Sequence, residues 1–330
     1  MSKLMIVAEI GANHLGSLAC AKSLVKAAKQ AGADAVKFQT YTPEEIAADA
    51  NIMRGPWKGR RYRELYAEGM TPWTWHRELF RYARSIGVIP FSSPFSVEAV
   101  YRLESLDCPI YKIASPEIGH LPLIAAAAKT GKPMIISTGM AWLNEIYTAA
   151  DHAYVNGCND LTVLHCLSAY PARAEDFHME TMRRLLHHNF KVGLSDHSPG
   201  IVAPVMAVAM GASVIEKHIT MSRNNGGLDS KFSLEPHEFG EMVKACRTAE
   251  RALGEPTFGV RPSEADSVQY KRSLWFVNGI KEGEVVTPEH LGILRPNYGI
   301  PPCNFAEVVG RSAGVDIAPG TPVHWDLLDD

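Results

Sequence analysis

The stretch KQAGADAVKFQ, residues 29–39, carries the change of period that decides the fold. Basic and small residues run up to Gly32, where a helix can stop at a residue free to turn left-handed. From Asp34 onward the pattern has period two. Val36 and Phe38 share one face of a strand, while Lys37 and Gln39 share the other. The same helix-end, strand-start phrase returns as RSIGVIPF (84–91), ESLDCPIY (104–111) and AKTGKPMI (128–135). Three of the four phrases turn at a glycine.

Extending this reading predicts strands near 4–9, 34–39, 88–92, 110–114, 133–137, 161–166, 191–195 and 213–217. Helices are predicted over 17–31, 73–86, 96–106, 119–130, 142–155, 177–187, 200–210 and 235–252. Eight βα units in succession match an α/β fold of the (β/α)8 TIM-barrel type, with a doubly wound open sheet as the alternative. Residues 254–266, rich in Gly and Pro, read as a linker. The expected domains are therefore a barrel over 1–253 and a small domain of short strands and turns over 267–330.

Composition narrows the function classes. A net charge of −3 gives no reason to expect nucleic acid or an anionic membrane as partner. The six cysteines are scattered without a C-x-x-C pair, which points away from a zinc knuckle or a disulfide framework. No signal-peptide pattern and no 18-residue apolar run occur, so a reducing cytoplasm is the default location.

Strand parity then separates polar side chains from apolar ones. Glu9, Lys37, Lys112, Ser195, His197, Glu216 and His218 all fall on the presumed inner face, near the C-terminal ends of five strands. Barrel enzymes keep their active sites there. A lone inward Lys or His is ordinarily a satisfied structural residue, but this many charges in one mouth call for ligands. Two buried lysines suggest an anion, and two histidines with carboxylates nearby suggest a divalent metal. Lys217 has the opposite parity and reads as half of a structural ion pair.

Seven motifs carry a resemblance. Residues 8–40 (AEIGANHLG…VKFQT), FSSPF (91–95), YKIAS (111–115), STGM (137–140), HCLSAYP (165–171), GLSDHS (193–198) and EKHIT (216–220) resemble, in order and spacing, the sialic acid synthase (N-acetylneuraminate synthase) family. Residues 279–300 resemble the small antifreeze-like, β-clip SAF domain that ends those chains. The family implies a metal-dependent condensation of phosphoenolpyruvate with the open-chain aldehyde of an amino sugar, releasing phosphate. The metal is usually manganese, with magnesium or cobalt as alternatives.

The resemblance also implies roles. Lys37 and Lys112 would hold phosphoenolpyruvate with the hydroxyls of Ser93, Ser115, Ser137 and Ser195, and His197 and His218 would hold the metal. Glu117 would serve as base for the attacking water; Tyr170 would lie near the sugar, and Glu9 and Asp229 would contact the sugar or metal-bound water. Arg295 would reach a partner's active site in a domain-swapped homodimer. Two departures stand out: Ser93 replaces the usual Thr, and Ser168 replaces the usual Asn.

The long segment after the second strand, MRGPWKGRRYRELYAEGMTPWTWH (53–76), resembles the branch that makes pseudaminic acid, as does GGLDSKFSLEP (226–236). Its aromatics suit a 6-deoxy sugar such as 2,4-diacetamido-2,4,6-trideoxy-altrose. The alternatives are the same chemistry on N-acetylmannosamine or a legionaminic acid precursor, a Schiff-base pyruvate aldolase using Lys37 or Lys112, and a sugar-binding barrel without catalysis.

Overall fold

The computed structural model describes residues 4–55, 57–188 and 190–329. The expectations for residues 1–3, Pro56, Asn189 and residue 330 lie outside the described residues. Contacts divide the chain into two units, Met1–Gly254 and Glu255–Asp330.

In the first unit eight parallel strands close into a barrel in chain order, which excludes the open doubly wound sheet. They are β1 (Met5–Glu9), β2 (Ala35–Thr40), β3 (Ile89–Pro94), β4 (Tyr111–Ile113), β5 (Met134–Ser137), β6 (Leu161–Cys166), β7 (Lys191–Asp196) and β8 (Val214–His218). Helices α1 (Leu18–Gln30), α2 (Pro43–Ile46), α3 (Tyr62–Gly69), α4 (Trp73–Ser85) and α5 (Val97–Glu104) belong to the first half. The second half carries α6 (Leu121–Ala128), α7 (Leu143–Val155), α8 (Glu180–Leu186), α9 (Val202–Ala209) and α10 (Pro236–Leu253). Ser17 and Ser96 start α1 and α5 by accepting from the amides of Cys20 and Ala99, the ordinary serine cap.

The four helix-end phrases turn as their sequences suggest. Gly32, Gly87 and Gly131 take positive φ, and in the fourth phrase Asp107 does so at 53°. A short polar side chain tolerates that region better than an apolar one. The segment between β2 and α4 differs from a plain loop, because α2 and α3 form within it. Thr42 and Glu45 cap α2 reciprocally, and Leu65 of α3 is buried.

Register fixes the mouth. Glu9 lies opposite Lys37 on β2 and opposite His218 on β8, while Ser195 of β7 lies opposite Glu216. The outward side chains, among them Val36, Phe38 and Ile215, join one continuous core beneath the helices.

The second unit has its own core of Leu274, Phe276, Ile280, Val286, Val308 and Val323. Strand β9 (Ser273–Phe276) pairs antiparallel with β10 (Leu291–Leu294) and, further along the chain, with Thr321–Pro322. Arg295 is exposed directly after β10.

Candidate active site

Lys37 and Lys112 both rise from strand interiors, so burial acts first against their charge. Lys37 overcomes it. Its Nζ lies 2.9 Å from Glu9 and 3.6 Å from Glu216, and the two carboxylates raise its pKa above the usual lysine value. Lys112 does not overcome it. Among the described residues only Glu216, at 3.5 Å, forms an ion pair with it, and burial together with Lys37 leaves its pKa lowered. An ammonium group 2% exposed and so weakly paired is a place for an anion.

Glu216 sits between the two lysines. Burial opposes its charge, but Lys112 and Lys37 outweigh burial and hold the carboxylate at about 2. Ser195 donates to its Oε1 at 3.0 Å, while its Oε2 has no hydrogen-bond partner. Glu9 is fixed from the other side by Gln39, whose amide donates to it at 2.9 Å.

Three further serines surround the lysines. Ser93 Oγ accepts from Lys37 at 3.3 Å, and Ser115 Oγ accepts from the amide of Gly139 at 3.0 Å. Ser137 Oγ is buried without a partner, a hydroxyl ready for a ligand. Glu117 follows Ser115 on a short helical turn. Burial pushes its carboxyl up to about 7 against the pull of Lys112, and its Oε2 is likewise unpartnered.

The imidazoles of His197 and His218 stand with ring centroids 5.4 Å apart. His197 Nδ1 lies 3.0 Å from the carbonyl of Leu167; donating there keeps the Nε2 lone pair for another group. Burial, with His197 and the lysines adding to it, holds His218 well below the usual histidine range, so that ring is neutral. His218 Nδ1 has no hydrogen-bond partner and lies 3.5 Å from Asp229. The amide of Ala12 donates to Asp229 at 2.8 Å, and burial raises that carboxyl to about 6. Gly11 makes the approach feasible: a Cβ there would stand 2.3 Å from the Asp229 carboxylate.

A cavity of about 80 Å³ is lined by Glu9, Lys37, Lys112, Ser115, Ser137, Ser195, His197, Glu216 and His218. Gln39, Pro116, Tyr170 and His218 line it and also a second cavity of about 260 Å³, walled by Tyr41, Trp57, Leu65, Tyr66, Leu228 and Phe232. Tyr170 packs 4.5 Å from His197, ring to ring. The structure therefore brings Glu9, Lys37, Ser93, Lys112, Ser115, Glu117, Ser137, Tyr170, Ser195, His197, His218 and Asp229 around one mouth. Arg295 belongs to the second unit.

Several lining residues received no role from the sequence. Gln39 shares the parity of Lys37, which could have marked it. Cys166 lies with its sulfur 3.9 Å from His197 Nδ1, at the end of β6. Phe232, 5.0 Å from the ring of His218, ends a single 3-10 turn over Ser230–Phe232 and carries no periodic signal.

Two buried imidazoles, one of them carrying an unpartnered nitrogen, suit a divalent cation that takes its other ligands from substrate or water. No third His, Cys, Asp or Glu completes a cluster among the described residues. Fold and mouth together describe a (β/α)8 barrel whose axis carries two buried ammonium groups beside such a pair.

Comparison with known proteins gives the group. The NeuB family model matches residues 24–257 and the SAF domain model residues 271–329, and the chain belongs to the NeuB family. It is 41% identical to a pseudaminic acid synthase of Campylobacter jejuni subsp. jejuni serotype O:23/36, covering 96% of this chain and 94% of that one. A pseudaminic acid synthase of Helicobacter pylori is 40% identical, covering 98% and 97%. Among solved structures, the N-acetylneuraminic acid synthetase of Leptospira borgpetersenii serovar Hardjo-bovis, in complex with citrate, superposes with a TM-score of 0.74. It is 32% identical and covers 82% of this chain and 91% of that one.

Proposed function

We propose that this chain is a pseudaminic acid synthase, joining phosphoenolpyruvate to the aldehyde of 2,4-diacetamido-2,4,6-trideoxy-L-altrose with release of phosphate. One observation carries the reading: a single cavity sets two buried ammonium groups beside two imidazoles, with unpartnered hydroxyl and carboxylate oxygens between them.

In this reading Lys37 and Lys112 neutralise the carboxylate and phosphate of the donor, and Ser93, Ser115, Ser137 and Ser195 orient them. His197 and His218 would hold a divalent cation, manganese by family resemblance, which would supply Lewis acidity for the aldehyde. Glu9, Tyr170 and Asp229 position the sugar around its reactive carbon. C3 of phosphoenolpyruvate then bonds to that carbon, whose oxygen takes up a proton, and C2 becomes electron-poor. Water adds at C2 and loses a proton to Glu117, whose pKa of about 7 suits a base at neutral pH. The C2–oxygen bond to phosphate then breaks as the new C2 hydroxyl gives its proton to the departing phosphate, leaving the ketone. Neither lysine forms a covalent adduct.

The resemblance further supports a cytoplasmic homodimer whose C-terminal domains exchange, with Arg295 serving the partner's sugar site. The described residues contain no helix long and apolar enough to cross a membrane. Phosphate release measured against the trideoxy-altrose, the legionaminic acid precursor 2,4-diacetamido-2,4,6-trideoxy-mannose and N-acetylmannosamine tests the substrate. The altrose sugar is expected to give the highest kcat/KM; preference for N-acetylmannosamine would overturn the choice.

A further inference from the structure

The second cavity has a polar floor and an apolar wall. Gln39, Tyr170, His218 and Asp229 form the floor beside the donor cavity, whereas Leu65 and Tyr66 of α3 face the cavity together with Tyr41, Trp57, Leu228 and Phe232. Leu65 is buried although its neighbours Arg63, Glu64, Ala67 and Glu68 are exposed, so α3 places one apolar stripe into the mouth.

That wall is anchored. Tyr41 donates its hydroxyl to the carbonyl of Tyr66 at 3.2 Å, and His14 Nε2 lies 3.3 Å from the carbonyl of Gly69. At Gly69 the helix end is pressed against the barrel: a Cβ there would stand 3.2 Å from Ala12 and 3.3 Å from both Leu228 and the Tyr41 hydroxyl. Leu65 and Leu228 are thus held against the cavity by contacts on both sides of the opening.

Resting on the proposed function, we infer that Leu65 and Leu228 determine specificity at the far end of the acceptor sugar, selecting a 6-methyl over a 6-hydroxymethyl group. With the aldehyde carbon at the imidazoles and the floor, the chain of an open sugar runs outward toward these leucines. A methyl group there meets apolar surface. A hydroxyl there loses its water, finds neither donor nor acceptor on either leucine, and meets in Tyr41 a hydroxyl whose proton is already donated to the carbonyl of Tyr66. An apolar pocket rejects an added hydroxyl by a factor of about 100 at most, which bounds the selectivity available.

The experiment compares kcat/KM for 2,4-diacetamido-2,4,6-trideoxy-L-altrose with that for its 6-hydroxylated counterpart, 2,4-diacetamido-2,4-dideoxy-L-altrose, in the full-length enzyme. Wild type is expected to favour the 6-deoxy sugar by 10- to 100-fold, on the order of the apolar-pocket limit. Leu65→Asn and Leu228→Asn, which offer a partner to the hydroxyl, are each expected to lower that ratio about tenfold. Leu65→Ile is expected to keep it, which separates a wall from a mere folding role. A wild-type ratio near one overturns the inference without any variant. A high wild-type ratio unmoved in both Asn variants overturns it while leaving the proposed reaction standing. Turnover of neither altrose sugar removes the proposed substrate, and the inference with it.

Discussion

On β8, Lys217 turns toward the helices and pairs with Asp196 of β7, whereas its neighbours Glu216 and His218 turn toward the axis, where Glu216 stands 3.5 Å from Lys112. Both lysines are shut away from water, 0% and 2% exposed. Lys217 has a close carboxylate and also donates to the carbonyl of Ser198. Lys112 shares one more distant carboxylate with Lys37, beside a serine hydroxyl that bonds to nothing. The outer face spends its buried charge on holding two strands together. Burial lowers the pKa of Lys217 as it does that of Lys112, so the faces differ in their partners. Among the described residues the inner face alone keeps Ser137 Oγ and Glu216 Oε2 unpartnered beside its lysines, and a ligand can satisfy them.

Substitutions on the two faces should therefore fail differently. The largest effect belongs to His218→Ala, which should abolish metal-dependent turnover while thermal unfolding stays within a few degrees of wild type; wild-type rates would break the ligand assignment. Lys112→Met should lower kcat/KM by about 10²–10³, the usual size for losing one preorganised charge, with a higher KM for phosphoenolpyruvate and no loss of stability. Lys217→Met should do the reverse. Stranding Asp196 in the core should cost roughly 3–5 kcal/mol, seen as a lower melting temperature, while kcat per folded molecule stays near wild type.

The pH profile sharpens the same contrast. Glu117 is pushed up to about 7 by burial and must be ionised to take the water's proton, so kcat/KM should rise through pH 7 and level off above it. Glu117→Gln should remove that limb and reduce the rate about 100-fold; an unchanged limb would assign it to another group. The smallest effect is expected at Arg295. Arg295→Ala should reduce activity several-fold, and mixing it with an inactive barrel variant should show whether the arginine acts across subunits.

Most of the barrel was legible because period two and the helix-end turns are local signals. The parity of AVKFQ placed Lys37 and Gln39 together, and that of VIEKH separated Lys217 from Glu216 and His218. Local signals fail where the chain folds back. Leu65, Leu228 and Phe232 reach the mouth from segments more than 150 residues apart, and no spacing links them. Helices α2 and α3 are short and polar, and α3 is held by Tyr41 and His14 rather than by its own periodicity. The closeness of Gly11 to Asp229 joins positions 218 residues apart, beyond any pattern in sequence.

The most direct measurement is phosphate release by EDTA-treated enzyme given phosphoenolpyruvate and the trideoxy-altrose, before and after manganese is added. The condensation predicts negligible release without the cation, one phosphate per nine-carbon keto acid once it is restored, and no adduct when pyruvate and borohydride are supplied. Full turnover in the chelated enzyme, with pyruvate trapped on Lys112, would contradict it.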